Sequence, residues 1–171
     1  MSNNNHSINE FDFQLICEYF SSTDRQGPGS EASTLKAFSY LKDLPNHPKI
    51  ADLGCGTGSS SLVLAKHTDA HITAIDLFPL FIEKLNTRAQ QAHVTEKIHA
   101  TLGDMGELPF EKASFDAIWS EGAIYNIGFQ RGMNEWYPFI KTGGYIAVTE
   151  ATWLTEHRPK EIENFWTDAY P

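Results

Sequence analysis

Cysteine is scarce in this chain of 171 residues, and so is positive charge. The two cysteines, Cys17 and Cys55, cannot build a disulfide framework, and no C-x-x-C pair or histidine-rich tract marks a metal site. A reducing, cytoplasmic setting is the expectation they set. Lys and Arg number 13 against 22 Asp and Glu, a formal charge of −9. Neutralising nucleic-acid phosphates takes clustered Lys and Arg, so no nucleic-acid partner is expected. No run approaches the roughly 18 apolar residues of a membrane span, and the opening MSNNNHSINE lacks the basic segment and apolar stretch of a secretory signal. What the chain does have is 41% hydrophobic and 12% aromatic residues, enough for a sizeable core. Its length suits a single domain over residues 1–171.

Apolar residues at helical spacing, Phe13, Ile16, Cys17 and Phe20, predict a first helix over 11–20, which the loop RQGPGS (25–30) breaks. Leu35, Phe38 and Leu41 predict a second helix over 31–44, stopped by Pro45 and Pro48. From Lys49 the rhythm changes. Strands are expected at 49–53, 71–75, 98–102, 115–119 and 145–149, with helices at 59–67, 80–92, around 133–140, and 159–169. Strands alternating with crossovers imply a Rossmann-like, doubly wound α/β fold on a mainly parallel sheet, residues 49–171, preceded by a helical cap over 1–48 that acts as a lid.

The motif that carries chemistry is ADLGCGTGSS (51–60) between the first strand and its helix. Such a loop offers bare backbone N–H groups and a helix N-terminus at the carboxyl edge of the sheet. A phosphate-cradling loop would need a lysine after the last glycine, and Gly58 is followed by serines. Gly54, Gly56 and Gly58 are spaced G-x-G-x-G, unlike the G-x-G-x-x-G of a dinucleotide site. Asp52 before the loop repels a pyrophosphate but accepts from an ammonium and favours a sulfonium. S-adenosylmethionine carries both cations. Asp76 closes the second strand 22 positions after Gly54, where an acid captures ribose hydroxyls in this architecture.

Four segments together resemble the class I S-adenosylmethionine-dependent methyltransferases, in particular the small-molecule subgroup similar to ubiquinone/menaquinone-biosynthesis methyltransferases. They are IADLGCGTG, ITAIDLF, LGDMGELPF, and FDAIWSEGAIYNI with KTGGYIAVTE. The resemblance implies that Asp104 accepts from the adenine amino group, that Met105 covers the ring and that Leu77 flanks the adenosine. It also implies that the leading segment closes on the cofactor, bringing Arg25 to the methionine carboxylate. The family's usual terminal strands 6 and 7 have no counterpart among the five strands expected here, so the strand order is 3-2-1-4-5. The core is expected to be C-terminally incomplete, its strand 5 edge covered by a further segment or by a second copy.

Methyl transfer from a sulfonium is an in-line displacement, in which holding the nucleophile in line does much of the work. Glu121 after the fourth strand is the best-placed candidate base, with Glu150 behind it. Tyr125 and Trp153 follow the same strand ends and are candidates to wall a pocket for a small-molecule acceptor. Two rival readings stand beside this one. One is a cofactor-binding or interaction module without turnover. The other is an NAD(P)-dependent oxidoreductase, suggested by Y-x-x-x-K at Tyr137 and Lys141 but opposed by Pro138 inside that pattern.

Overall fold

The computed structural model describes residues 13–169, so the reading of the opening stretch falls outside the described residues. Five strands form one parallel sheet in the order β3-β2-β1-β4-β5: β1 (Lys49–Leu53), β2 (His71–Asp76), β3 (Ile98–Leu102), β4 (Phe115–Glu121) and β5 (Ile140–Thr149). Among the described residues six α-helices accompany them: α1 (Phe13–Ser21), α2 (Glu31–Phe38), α3 (Ser59–His67), α4 (Pro79–Gln91), α5 (Phe129–Trp136) and α6 (Lys160–Ala169).

The central strands are buried on both faces, which is why they read as near-continuous apolar runs. Ile50, Ile72, Ala74 and Trp119 face one core together with Leu62 and Leu64 of α3 and Leu85 of α4. Ala51, Leu53, Ile75 and Ile118 face the other, closed by Ile124 and by Trp136 of α5. On the first face α2 packs on α3, and α1 on α4. The parallel register brings Leu53, Asp76, Leu102, Glu121 and Thr149 to one carboxyl edge. Among the described residues no helix is long and apolar enough to cross a membrane.

Three elements differ from expectation by more than two residues. The second helix ends at Phe38 instead of 44, because the following turn is gripped by Tyr145 of β5, whose hydroxyl accepts from Lys42 N–H (3.1 Å) and donates to Lys42 C=O (3.0 Å). The helix expected around 133–140 lies at 129–136, followed by a 3₁₀ turn over Tyr137–Phe139. Pro138 offers no N–H to continue a helix, and its carbonyl instead accepts from Ala113 N–H. β5 therefore begins at Ile140, pairs with Phe115, and resumes regular register at Tyr145 after a bulge spanning Gly143 and Gly144.

At the opposite, amino edge, buried Asp116 fastens the three adjacent strands β1, β4 and β5. It accepts from the Lys49 backbone N–H (2.8 Å) and from Lys141 Nζ (2.9 Å to each oxygen). Removing it strands a backbone donor and an ammonium together. Asp116→Ala is expected to lower stability by about 2–3 kcal/mol in urea unfolding, without touching the carboxyl edge.

Candidate functional site

The glycine loop is stitched to the end of β2. The N–H groups of Gly54 and Cys55 both donate to Ile75 C=O (2.9 Å each), and Gly56 N–H donates to Asp76 Oδ2 (2.8 Å). The other oxygen of Asp76 accepts from Phe78 N–H (3.1 Å). Burial raises the Asp76 carboxyl above its ordinary value although the amides of Phe78, Gly56 and Leu77 oppose it. A side chain at Gly54 would collide with Ala123 and come within 2.7 Å of Met105 Cε, and one at Gly56 would collide with Gln26 Oε1. The bare backbone is thus a requirement of close approach from three separate segments. Gly58 caps α3 against Leu85.

Asp52 departs from its expected role. Instead of facing a ligand's ammonium it lies under the loop, 1% exposed, with Ser61 Oγ donating to its Oδ2 at 2.6 Å. Burial pushes its carboxyl up to about 7, the Ser61 hydrogen bonds pulling the other way and the charges of Glu121 and Asp76 adding to the rise. The same burial, with Asp52 and Asp76 nearby, pushes the Cys55 thiol up and leaves it inert as a nucleophile.

Residues 22–30 close over this loop as the lid expected from the sequence. Arg88 of α4 ties them down, donating to Asp24 C=O (2.9 Å) and to Thr57 C=O (2.8 Å). Arg25 is engaged within the protein. It donates to Glu121 Oε2 (2.8 Å) and to Thr34 Oγ1 (3.1 Å). Glu121 in turn accepts from Thr34 Oγ1 (2.7 Å) and Trp119 Nε1 (2.9 Å) on its other oxygen. Burial alone would raise the Glu121 carboxyl, but the hydrogen bonds from Arg25, Thr34 and Trp119 outweigh it and hold the group below the ordinary value. A carboxylate kept ionised by three donors is a poor proton acceptor, so Glu121 is a lid anchor in place of the expected base.

Of the remaining expected residues, Met105 lies over Gly54, its carbonyl accepting from Trp136 Nε1 (2.9 Å). Asp104 follows β3 and is exposed, its Oδ1 accepting from Gly106 N–H (2.7 Å). Leu77 and Tyr125 are exposed after β2 and β4. Trp153 sits beyond β5 under the Arg158 guanidinium, 5.4 Å from its ring centroid, and Glu150 is exposed just ahead of it. The structure therefore gathers Asp52, the glycines, Asp76, Met105, Arg25 and Glu121 at one edge and leaves Trp153 on a separate segment. An open depression of about 680 Å³ lies at the amino edge beside Lys49, His71 and His99, away from these groups. Among the described residues no group of three or more His, Cys, Asp or Glu is placed to hold a metal. Sequence reasoning missed Gln26, Thr34, Ser61 and Arg88. Gln26 alone carried a signal, its place in RQGPGS beside Arg25.

A glycine loop tied to an acid at the end of β2, under a lid, in a 3-2-1-4-5 sheet defines a nucleotide-type ligand site of the doubly wound class. A family described as a methyltransferase domain matches residues 50–144, and the chain belongs to it. Curated relatives include the sarcosine/dimethylglycine N-methyltransferase of Aphanothece halophytica, 32% identical over 111 residues covering 64% of this chain and 40% of that protein. Another is the malonyl-[acyl-carrier protein] O-methyltransferase of Herminiimonas arsenicoxydans, 36% identical over 104 residues, covering 60% of this chain and 37% of that protein. The chain thus spans at most 40% of the length of these two relatives. Similar solved structures include YjhP of Escherichia coli, with TM-score 0.75 at 26% identity over 88% of this chain and 60% of that one. The geranyl diphosphate C-methyltransferase of Streptomyces coelicolor A3(2), solved with Mg²⁺, geranyl diphosphate and S-adenosyl-L-homocysteine, shares the fold with TM-score 0.68 at 18% identity, over 80% of this chain and 52% of that one.

Two outcomes are expected from the buried carboxylates. The folded-state value of Asp52 lies above the ordinary 3.8, so its stabilising proton is retained below about pH 4 and its contribution is lost as pH rises toward 7. Asp52→Asn should therefore raise the thermal midpoint at pH 8 by at least roughly 2–4 °C, with the gain vanishing near pH 4. A constant gain across that range would contradict the assignment. Thr34→Val removes one hydrogen bond to an ionised carboxylate without changing side-chain volume much. It should lower stability by about 1.5–3 kcal/mol and speed limited proteolysis between residues 22 and 30.

Proposed function

We propose that this chain is an S-adenosylmethionine-dependent methyltransferase domain that transfers a methyl group to a small-molecule acceptor by in-line displacement. The observation that carries the reading is the Gly56–Asp76 junction, where the family's glycine loop meets an acid at the end of β2 whose oxygens retain lone pairs for ribose hydroxyls. One further feature fits the cofactor: a buried amide nitrogen beside the glycine loop, Gln26 Nε2, has no partner among the described residues.

When bound, the cofactor supplies a methyl group on positively charged sulfur, which passes to an acceptor lone pair while the C–S electrons stay on sulfur. In this arrangement Asp76 holds the ribose, Asp104 accepts from the adenine amino group, Met105 and Leu77 flank the ring, and Tyr125 walls the acceptor side. With Glu121 engaged by three donors, catalysis rests on orientation and on exclusion of water by the lid. The nicotinamide reading finds no support in the geometry. Lys141 is paired with Asp116 at the amino edge, while Tyr137 is 72% exposed on a 3₁₀ turn, so the two do not converge on the glycine loop.

S-adenosylhomocysteine at 100 times its Kd should add about 2.7 kcal/mol of stability, raising the thermal midpoint by roughly 5–10 °C. NADH should leave the midpoint unchanged, and Asp76→Ala should abolish the shift. Stabilisation by NADH alone would sink the reading. Cofactor stabilisation with no label transferred from methyl-labelled cofactor to any acceptor in a metabolite extract would favour a binding module without turnover.

A further inference from the structure

Among the described residues, Gln26 Nε2 is the buried side-chain nitrogen or oxygen that lacks a hydrogen-bond partner. Buried polar atoms are nearly always paired, and each exception calls for a specific explanation, a bound ligand among them. The amide cannot be satisfied by turning it over. Its Oε1 accepts from Thr57 N–H at 3.3 Å and lies against Gly56, so a flipped amide would set two donors face to face. The loop therefore pins the oxygen and leaves the nitrogen a donor without a partner where lid and loop meet.

The class of acceptor it awaits follows from the partners already assigned, so this inference rests on the cofactor reading above. Asp76 and Asp104 are acceptors and serve the hydroxyls and amino group of an adenosine. The acceptor-rich part left over is the amino-acid carboxylate. Arg25, the obvious cation for it, is held by Glu121 and Thr34 at 2.8 and 3.1 Å. We propose that Gln26, and not Arg25, binds the α-carboxylate of the S-adenosyl ligand through Nε2, making the lid a reader of the ligand's amino-acid end.

The test compares two ligands differing at that end, S-adenosylhomocysteine and 5′-methylthioadenosine, by calorimetric titration of the full 171-residue chain. Gln26→Glu keeps an oxygen for Thr57 N–H but replaces the donor with an anion. Gln26→Ala removes both. Each should weaken S-adenosylhomocysteine by roughly 10- to 100-fold while leaving 5′-methylthioadenosine within about twofold. Circular dichroism and the thermal midpoint of each variant establish that it is folded before it is titrated. Arg25→Ala should weaken the two ligands equally, through the lid. If wild type binds both ligands and the Gln26 variants lose neither or both alike, or Arg25→Ala alone discriminates between them, the role of Gln26 is overturned and the cofactor reading stands. Wild type that binds neither ligand overturns both.

Discussion

At the carboxyl edge, one carboxylate joins the lid and α2 to the sheet. Glu121 stands at the end of β4 and receives Arg25 from the lid, Thr34 from α2 and the indole N–H of Trp119 from its own strand. Hydrogen bonds to an ionised group are the stronger kind, and these three act at a half-buried position where water competes weakly. Because Thr34 touches both Arg25 and Glu121, the lid and α2 share one polar network. The placement of residues 22–30 over the glycine loop, and hence the position of Gln26, follows from it.

The carboxyl edge holds three acids that the fold treats differently. Glu121 is surrounded by donors and stays ionised below the ordinary range. Asp76 is buried but braced by backbone amides, and Asp52 is sealed beneath the loop with a hydroxyl as its side-chain partner. Their mutual repulsion contributes to the rise at Asp52. A cation entering this edge would relieve that repulsion, which fits a sulfonium better than an anionic ligand. The electrostatic preference reasoned from Asp52 alone thus belongs to the edge as a whole, with Asp52 contributing from below.

The sheet was legible because buried parallel strands must be apolar on both faces. β1 and β3 fall on the residues expected, and the glycine loop with Asp76 lies where the motif spacing put it. Boundaries governed by distant contacts were not legible. Nothing local to residues 39–44 announces that Tyr145 will take up the Lys42 backbone, and nothing near Arg25 names a partner 96 residues away. The error at α5 was of another kind, since Pro138 was visible but its consequence, an early helix end and a longer β5, was applied only to the dehydrogenase motif. The family match to residues 50–144 agrees with where the sequence resemblance was densest. Of the three residues whose surroundings differ from expectation, Asp52 and Glu121 lie inside that match and Arg25 outside it.

Trp119 is wholly buried, and its indole nitrogen is bonded to the carboxylate that anchors the lid. The protein therefore carries an optical reporter at the seam between cap and sheet. Lid opening withdraws Arg25 and Thr34 from Glu121, changing the charge environment beside that indole without moving the strand that bears it. Trp136, equally buried but bonded to the Met105 carbonyl, senses the far side of the same cleft. With Trp153 and Trp166 replaced, substituting one or the other would separate a signal from the lid anchor from a signal beside Met105.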